Sequence, residues 1–92
     1  MIRGFRHKGL RALFERGNPK GVDPQHAVKL RRMLLLLQAG PLPDAMRLPG
    51  FKLHRLKGEL KGHWAVWVSG NHRLTFEIEG EDATNTWYGD YH

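Results

Sequence analysis

The sequence predicts an α+β domain of two layers, with two N-terminal helices packed on one face of a small, twisted antiparallel β-sheet. Apolar residues recur at helical spacing up to Gly40, and the period changes to two from Phe51 onward. Between the two regions lies "PLPDAMRLPG", whose three prolines mark an ordered connection rather than a regular element. Ninety-two residues leave room for one core only, so residues 1–92 form a single domain.

Each element has its own pattern. "MIRGF" reads as a short opening strand with Ile2 and Phe5 apolar. "HKGLRALFERG" follows as a helix, with Leu10, Leu13 and Phe14 on one face and Gly17 at its C-terminal cap. Gly9 weakens that helix by roughly 1 kcal/mol relative to Ala. In "DPQHAVKLRRMLLLLQAG", Asp23 fits the N-cap, Pro24 the first helical position and Gly40 the residue just past the end. Its buried stripe is Ala27, Leu30, Leu34 and Leu37, widened by Val28 and Leu35, with Lys29, Arg31 and Arg32 toward solvent. Strands then follow. "FKLHRL" sets Phe51 and Leu53 against Lys52 and His54, and "WAVWV" and "HRLTFEI" are joined by a Ser69-Gly70-Asn71 hairpin loop. "EGED" turns the chain into a last strand, "ATNTWYGDY". The helices should cover one sheet face and leave the other free.

Composition narrows the function. The chain has no cysteine, which excludes disulfides and thiolate metal sites and fits a cytoplasmic protein. Its longest apolar run, "MLLLL", is far too short to span a bilayer, and the N-terminus does not resemble a signal peptide. A soluble protein with no membrane partner is expected. Fifteen Lys and Arg face nine Asp and Glu, for a formal net charge of +6. All the cations lie at or before Arg73, whereas the residues after it hold Glu77, Glu79, Glu81, Asp82 and Asp90 and no cation. Such a basic surface attracts polyanions, nucleic acid first.

The free sheet face collects the candidate chemistry. Lys52, His54 and Arg73 alternate away from the apolar positions, and "RLKGELKG" adds Arg55, Lys57 and Lys61. Arginine grips a phosphate with a planar fork and lysine with a point charge, while an imidazole moves protons near neutral pH. Trp64 belongs with Val66 and Val68 in the core, which leaves Trp67 on the polar face as the aromatic residue to consider for RNA contact. His54, His63 and His72 fall nine residues apart, but on different elements and without metal-ligand spacing, so no metal is expected. His7 and His26 fall at helix starts and carry no chemical signal. A solvated, merely basic face accounts for these residues as well as a binding site does.

A larger pattern adds to that reading. "MIRGFRHKGLRALFERG", "KLHRLKGELKGHWAVWV", "NHRLTFEIEGEDA" and the closing "DYH" together resemble the HigB branch of the RelE-type toxins of bacterial toxin–antitoxin systems, from the first residue to the last. The resemblance implies a RelE-like fold and a ribosome-dependent endoribonuclease that cuts mRNA in the A site of the 70S ribosome, near the 16S rRNA. It also implies a HigA-type antitoxin with a helix-turn-helix domain. His54 and Lys57 of "HRLK", Arg73 of "NHR", and Asp90, Tyr91 and His92 of "DYH" match the functional positions of the family. Lys52, Arg55, Lys61 and Trp67 are the added candidates for RNA binding.

RNA supplies its own nucleophile, the 2′-hydroxyl, so such an enzyme needs a base, an acid and cations, and no cofactor or metal. Lys57 and Arg73 are candidates for the cations, and His54, Tyr91 and His92 for the acid and base, with Asp90 orienting a neighbour. The alternative is a non-enzymatic RNA- or ribosome-binding module using the same face. A further one is a protein-binding module whose basic surface meets an acidic partner.

Overall fold

A computed structural model describes residues 1–90; Tyr91 and His92 of the closing "DYH" lie outside the described residues. Helix α1 spans Lys8–Arg16 and helix α2 spans Ala27–Ala39. Strands β1 (His54–Arg55), β2 (His63–Ser69), β3 (His72–Glu79) and β4 (Asp82–Asp90) form one antiparallel sheet in the order β1-β2-β3-β4. The two-layer α+β expectation holds. The helices bury Leu10, Leu13, Leu30, Met33, Leu34 and Leu37 against Val66, Val68, Leu74, Phe76 and Tyr88 of the sheet.

Several local expectations need correction. Helix α2 starts at Ala27 with His26 at its N-cap, not with Asp23. The Asp23 carboxylate instead accepts from the Gln25 N–H (2.9 Å), and the Asp23 carbonyl accepts from the His26 N–H (2.9 Å). Aspartate bonding two residues on closes a turn of its own and delays the helix. Val28 and Leu35 do not widen the buried stripe, being 86% and 55% exposed, whereas Met33 is fully buried. At about 100° per residue, Val28 points roughly 160° away from Leu30, while Met33, Leu34 and Leu37 stay on the same side as Leu30. Lys29 turns back to the sheet, its ammonium donating to the Val68 carbonyl at 2.7 Å.

The strand read from "FKLHRL" shrinks to His54–Arg55 because Lys52 takes a left-handed conformation, φ 51°. That conformation breaks the alternation, although Phe51 still enters the core and its carbonyl accepts from the Trp67 N–H at 2.7 Å. The opening residues make only isolated parallel bridges to β4, Ile2 with Ala83 and Phe5 with Thr86. Nor is the second sheet face bare. Ala65 and Thr75 at its centre are buried, and Leu60, Arg6 and Trp87 surround Thr75 in a hollow of about 130 Å³. No helix among the described residues is long and apolar enough to cross a membrane.

Candidate active site

Register fixes which side chains share the face opposite the helices. One row across the sheet runs His54, Ala65, Thr75 and Trp87; the next runs Trp67, Arg73 and Gly89. His54 and Arg73 therefore stand on the same face, one row and two strands apart. At ~4.8 Å between strands and ~3.4 Å per residue, their backbones are separated by roughly 12 Å. Asp90 ends β4 as the register partner of His72 and is exposed.

His54 is oriented by its own chain. Its Nδ1 lies 2.8 Å from the Lys52 carbonyl, which can only accept, so Nδ1 carries the proton in that bond. In the neutral ring the lone pair is then on Nε2, in an exposed side chain. The left-handed backbone at Lys52 accompanies this carbonyl contact, so the residue that shortens β1 also sets the tautomer of His54.

The other candidates lie on the loop after β1, on β2 and on β1 itself. Lys57 precedes the 3₁₀ turn Gly58–Leu60, and Lys61 follows it; both are exposed. Leu60 of that turn lines the hollow with Thr75 and Trp87, so the loop bearing Lys57 and Lys61 lies over the open face. Trp67 alternates away from Val66 and Val68 as expected. Its indole N–H donates to the Gly70 carbonyl (2.9 Å), and the Lys29 and Lys52 ammonium groups lie 4.6 and 4.8 Å from its ring centroid. Arg55, by contrast, pairs with Trp64 in register and holds its guanidinium 5.2 Å from that ring, on the side of β1 opposite His54.

Gly89 is tied to this face by space. A Cβ there would sit 2.5 Å from two atoms of the Trp87 indole, so glycine lets that ring lie across the strand beside Arg73. The three evenly spaced histidines separate. His54 is on the open face, His63 stands 3.7 Å from Glu77 Oε2, and the half-buried His72 joins a cluster around buried Tyr88 and His26. Among the described residues, no three His, Asp or Glu side chains converge as a metal site would require.

That cluster is what the sequence did not reveal. His7, His26 and His72 surround Tyr88, and the Tyr88 hydroxyl lies 2.5 Å from His26 Nδ1. His7 accepts the Leu10 N–H at 3.0 Å as the cap of α1. Burial lowers the pKa of His7, against a smaller opposing contribution from its own backbone hydrogen bond, and burial raises that of Tyr88. Tyr88 offers the one sequence clue, a phenol at an inward-facing strand position, which when buried needs a hydrogen-bond partner.

Over residues 3–92 the chain matches the family of RelE-like toxins of the type II toxin–antitoxin system HigB. It belongs to that family. It is 37% identical to the Endoribonuclease HigB of Proteus vulgaris over 92 residues, which cover all of both chains. Two solved structures share the fold at low identity. YafQ from E. coli strain BL21(DE3) aligns with a TM-score of 0.64 at 17% identity, over 98% of this chain and 93% of that one. The YoeB–YefM complex from Staphylococcus aureus gives 0.60 at 15% identity, over 100% and 98%. The fold of this HigB-like chain is thus the RelE-like one expected from its motifs.

Proposed function

We propose that this HigB-like toxin is a metal-independent endoribonuclease that cuts mRNA in the ribosomal A site and is neutralised by a HigA-type antitoxin. The observation that carries the reading is the Nδ1–H bond from His54 to the Lys52 carbonyl. It leaves Nε2 as an outward-facing base on the sheet face that also holds Arg73. The identity to an endoribonuclease along the whole chain supports the same reaction class.

In this reading His54 Nε2 takes the proton from the 2′-hydroxyl, and the freed oxygen attacks the adjacent phosphorus. The phosphorane charge is met by Arg73 and by Lys57 from the loop above, the electrostatic stabilisation such a transition state requires. The P–O5′ bond then breaks, leaving a 2′,3′-cyclic phosphate and a 5′-hydroxyl. Tyr91 or His92 protonates the departing 5′-oxygen, and Asp90 orients its neighbour. Trp67 and Lys52 offer a flat ring and a cation to a flanking base and phosphate, while Arg55 and Lys61 add charge along the rim.

The test is cleavage of mRNA on programmed ribosomes beside free mRNA, comparing the full chain with a His92 deletion. The expected result is cuts inside the A-site codon, only with ribosomes, and at least about a hundredfold slower in the deletion. Ribosome binding that leaves the mRNA whole would favour the non-enzymatic alternative instead.

A further inference from the structure

The end of β4 is held differently from its beginning. The opening residues pair with β4 as far as Thr86, where the last bond is from the Arg6 N–H to the Thr86 carbonyl (2.8 Å). Beyond Thr86 the register runs to β3 alone: Trp87 to Thr75, Tyr88 to Leu74, Gly89 to Arg73 and Asp90 to His72. Of these four β4 residues, Trp87 lies on the open face, Gly89 has no side chain, and Asp90 alternates to the same side as Tyr88 but is exposed. Tyr88 is the one of the four that is buried in the layer of helices.

What Tyr88 meets there is specific. Its ring stacks on His72 (centroids 5.7 Å apart, 26° between planes) and meets His26 edge-on (5.8 Å, 84°). The rings of His26 and His72 are 4.6 Å apart. His7 contributes a ring edge at 5.6 Å, but its Nδ1 is already taken by the α1 cap. The hydroxyl–imidazole bond therefore runs to His26, at the start of α2, with Asp23 Oδ2 4.0 Å from the same nitrogen. The Asp23 backbone also hydrogen-bonds this hydroxyl, so loss of the imidazole leaves it only partly satisfied, and a buried polar group in that state is costly enough that the bond resists opening.

We propose that the Tyr88–His26 hydrogen bond, braced by His72, is a latch that holds the end of β4 on α2 and so positions Asp90 and Arg73 for cleavage. The proposal rests on the nuclease reading for its catalytic half and on geometry for its positioning half. Tyr88 and His26 are positioning residues. They act through the strand and sit on its helix side, away from the RNA-facing row. Small displacements of catalytic groups slow the chemical step more than they weaken binding.

Two measurements on the same set of full-length variants test it. Tyr88→Phe keeps the ring and removes the hydroxyl; His26→Leu removes the other partner; the double variant removes both. His26→Asn sets a carboxamide close to the position of Nδ1. Amide exchange at Gly89 and Asp90 should rise about tenfold in Tyr88→Phe, while exchange at the β3–β4 turn stays at the wild-type rate. On ribosome-bound mRNA, kcat should fall about tenfold with KM within about twofold. The double variant should lose no more than either single one, and His26→Asn should stay within about twofold of wild type. Wild-type exchange and kcat in Tyr88→Phe would overturn the latch. So would losses that add in the double variant, or a fall in kcat without faster exchange at Asp90. If the wild-type chain itself does not cut mRNA, the nuclease reading fails separately, and the exchange data still decide whether the latch exists.

Discussion

His7 shows how one half-buried contact sets a pH dependence. Its Nδ1 must be unprotonated to accept the Leu10 N–H, and burial lowers its pKa in the folded chain. The unfolded chain, near the ordinary value of about 6.5, therefore binds the proton first as pH falls. The stabilisation from neutral His7 is complete above that value and declines below it. Asparagine also accepts at an N-cap but does not titrate there. Thermal midpoints of wild type and His7→Asn should accordingly be similar at pH 8, and the variant should gain relative to wild type toward pH 5. A constant difference across that range would contradict the assignment. Tyr88 works at the other end of the scale. Burial raises its pKa, so its contribution is complete below about 10 and is lost at higher pH.

Helix α1 carries a glycine that propensity alone disfavours. A Cβ at Gly9 would lie 2.2 Å from the Gly21 carbonyl oxygen, and one at Gly21 would lie 2.4 Å from Gly9 Cα. The helix start and the loop before α2 thus touch backbone to backbone. Propensity predicts that Gly9→Ala gains roughly 1 kcal/mol. The overlap with rigid backbone predicts instead a net loss of about 1–3 kcal/mol, measured by denaturant unfolding. In α2 the contrast is between neighbours. Met33→Ala should cost about 2–5 kcal/mol as a core truncation, while Leu35→Gln on the exposed side should change stability by less than about 0.5 kcal/mol. Equal costs would mean that the stripe is placed wrongly.

These elements also show what the sequence could and could not disclose. Leu30, Leu34 and Leu37 were legible as core because their spacing is local and periodic. The hairpin was legible because its chemistry is local as well, although Ser69 ends β2 and only Gly70 and Asn71 form the connection. Lys52 was not, since nothing in "FKLHRL" announces a left-handed residue that ends the alternation. The histidine–tyrosine cluster was hidden for another reason. His26 and Tyr88 are 62 residues apart, and their contact depends on how α2 docks on the sheet. Residue types and strand alternation placed His54, Arg73 and Trp67 on one face, but only the register showed which of them share a row.

Over the whole molecule, charge is sorted by place. The acidic turn between β3 and β4 is partly neutralised by the chain start, with Arg3 bonded to Glu79 (3.0 Å) and Asp82 (3.2 Å). Lys52, Arg55, Lys57 and Lys61 lie instead on and around β1, the far edge of the sheet. In the proposed reading these cations draw RNA to the edge that carries His54, and its association should then weaken steeply with salt. The central claim is that His54 is the base on that edge. Its most direct test is single-turnover cleavage of ribosome-bound mRNA by wild type, His54→Gln and Lys20→Gln. His54→Gln should cut about a hundredfold more slowly. Lys20→Gln, an exposed charge in the loop after α1, should stay within about twofold, as expected for one cation away from the reacting phosphate. Equal rates in the two variants would contradict the account and leave a basic surface that binds RNA without cutting it.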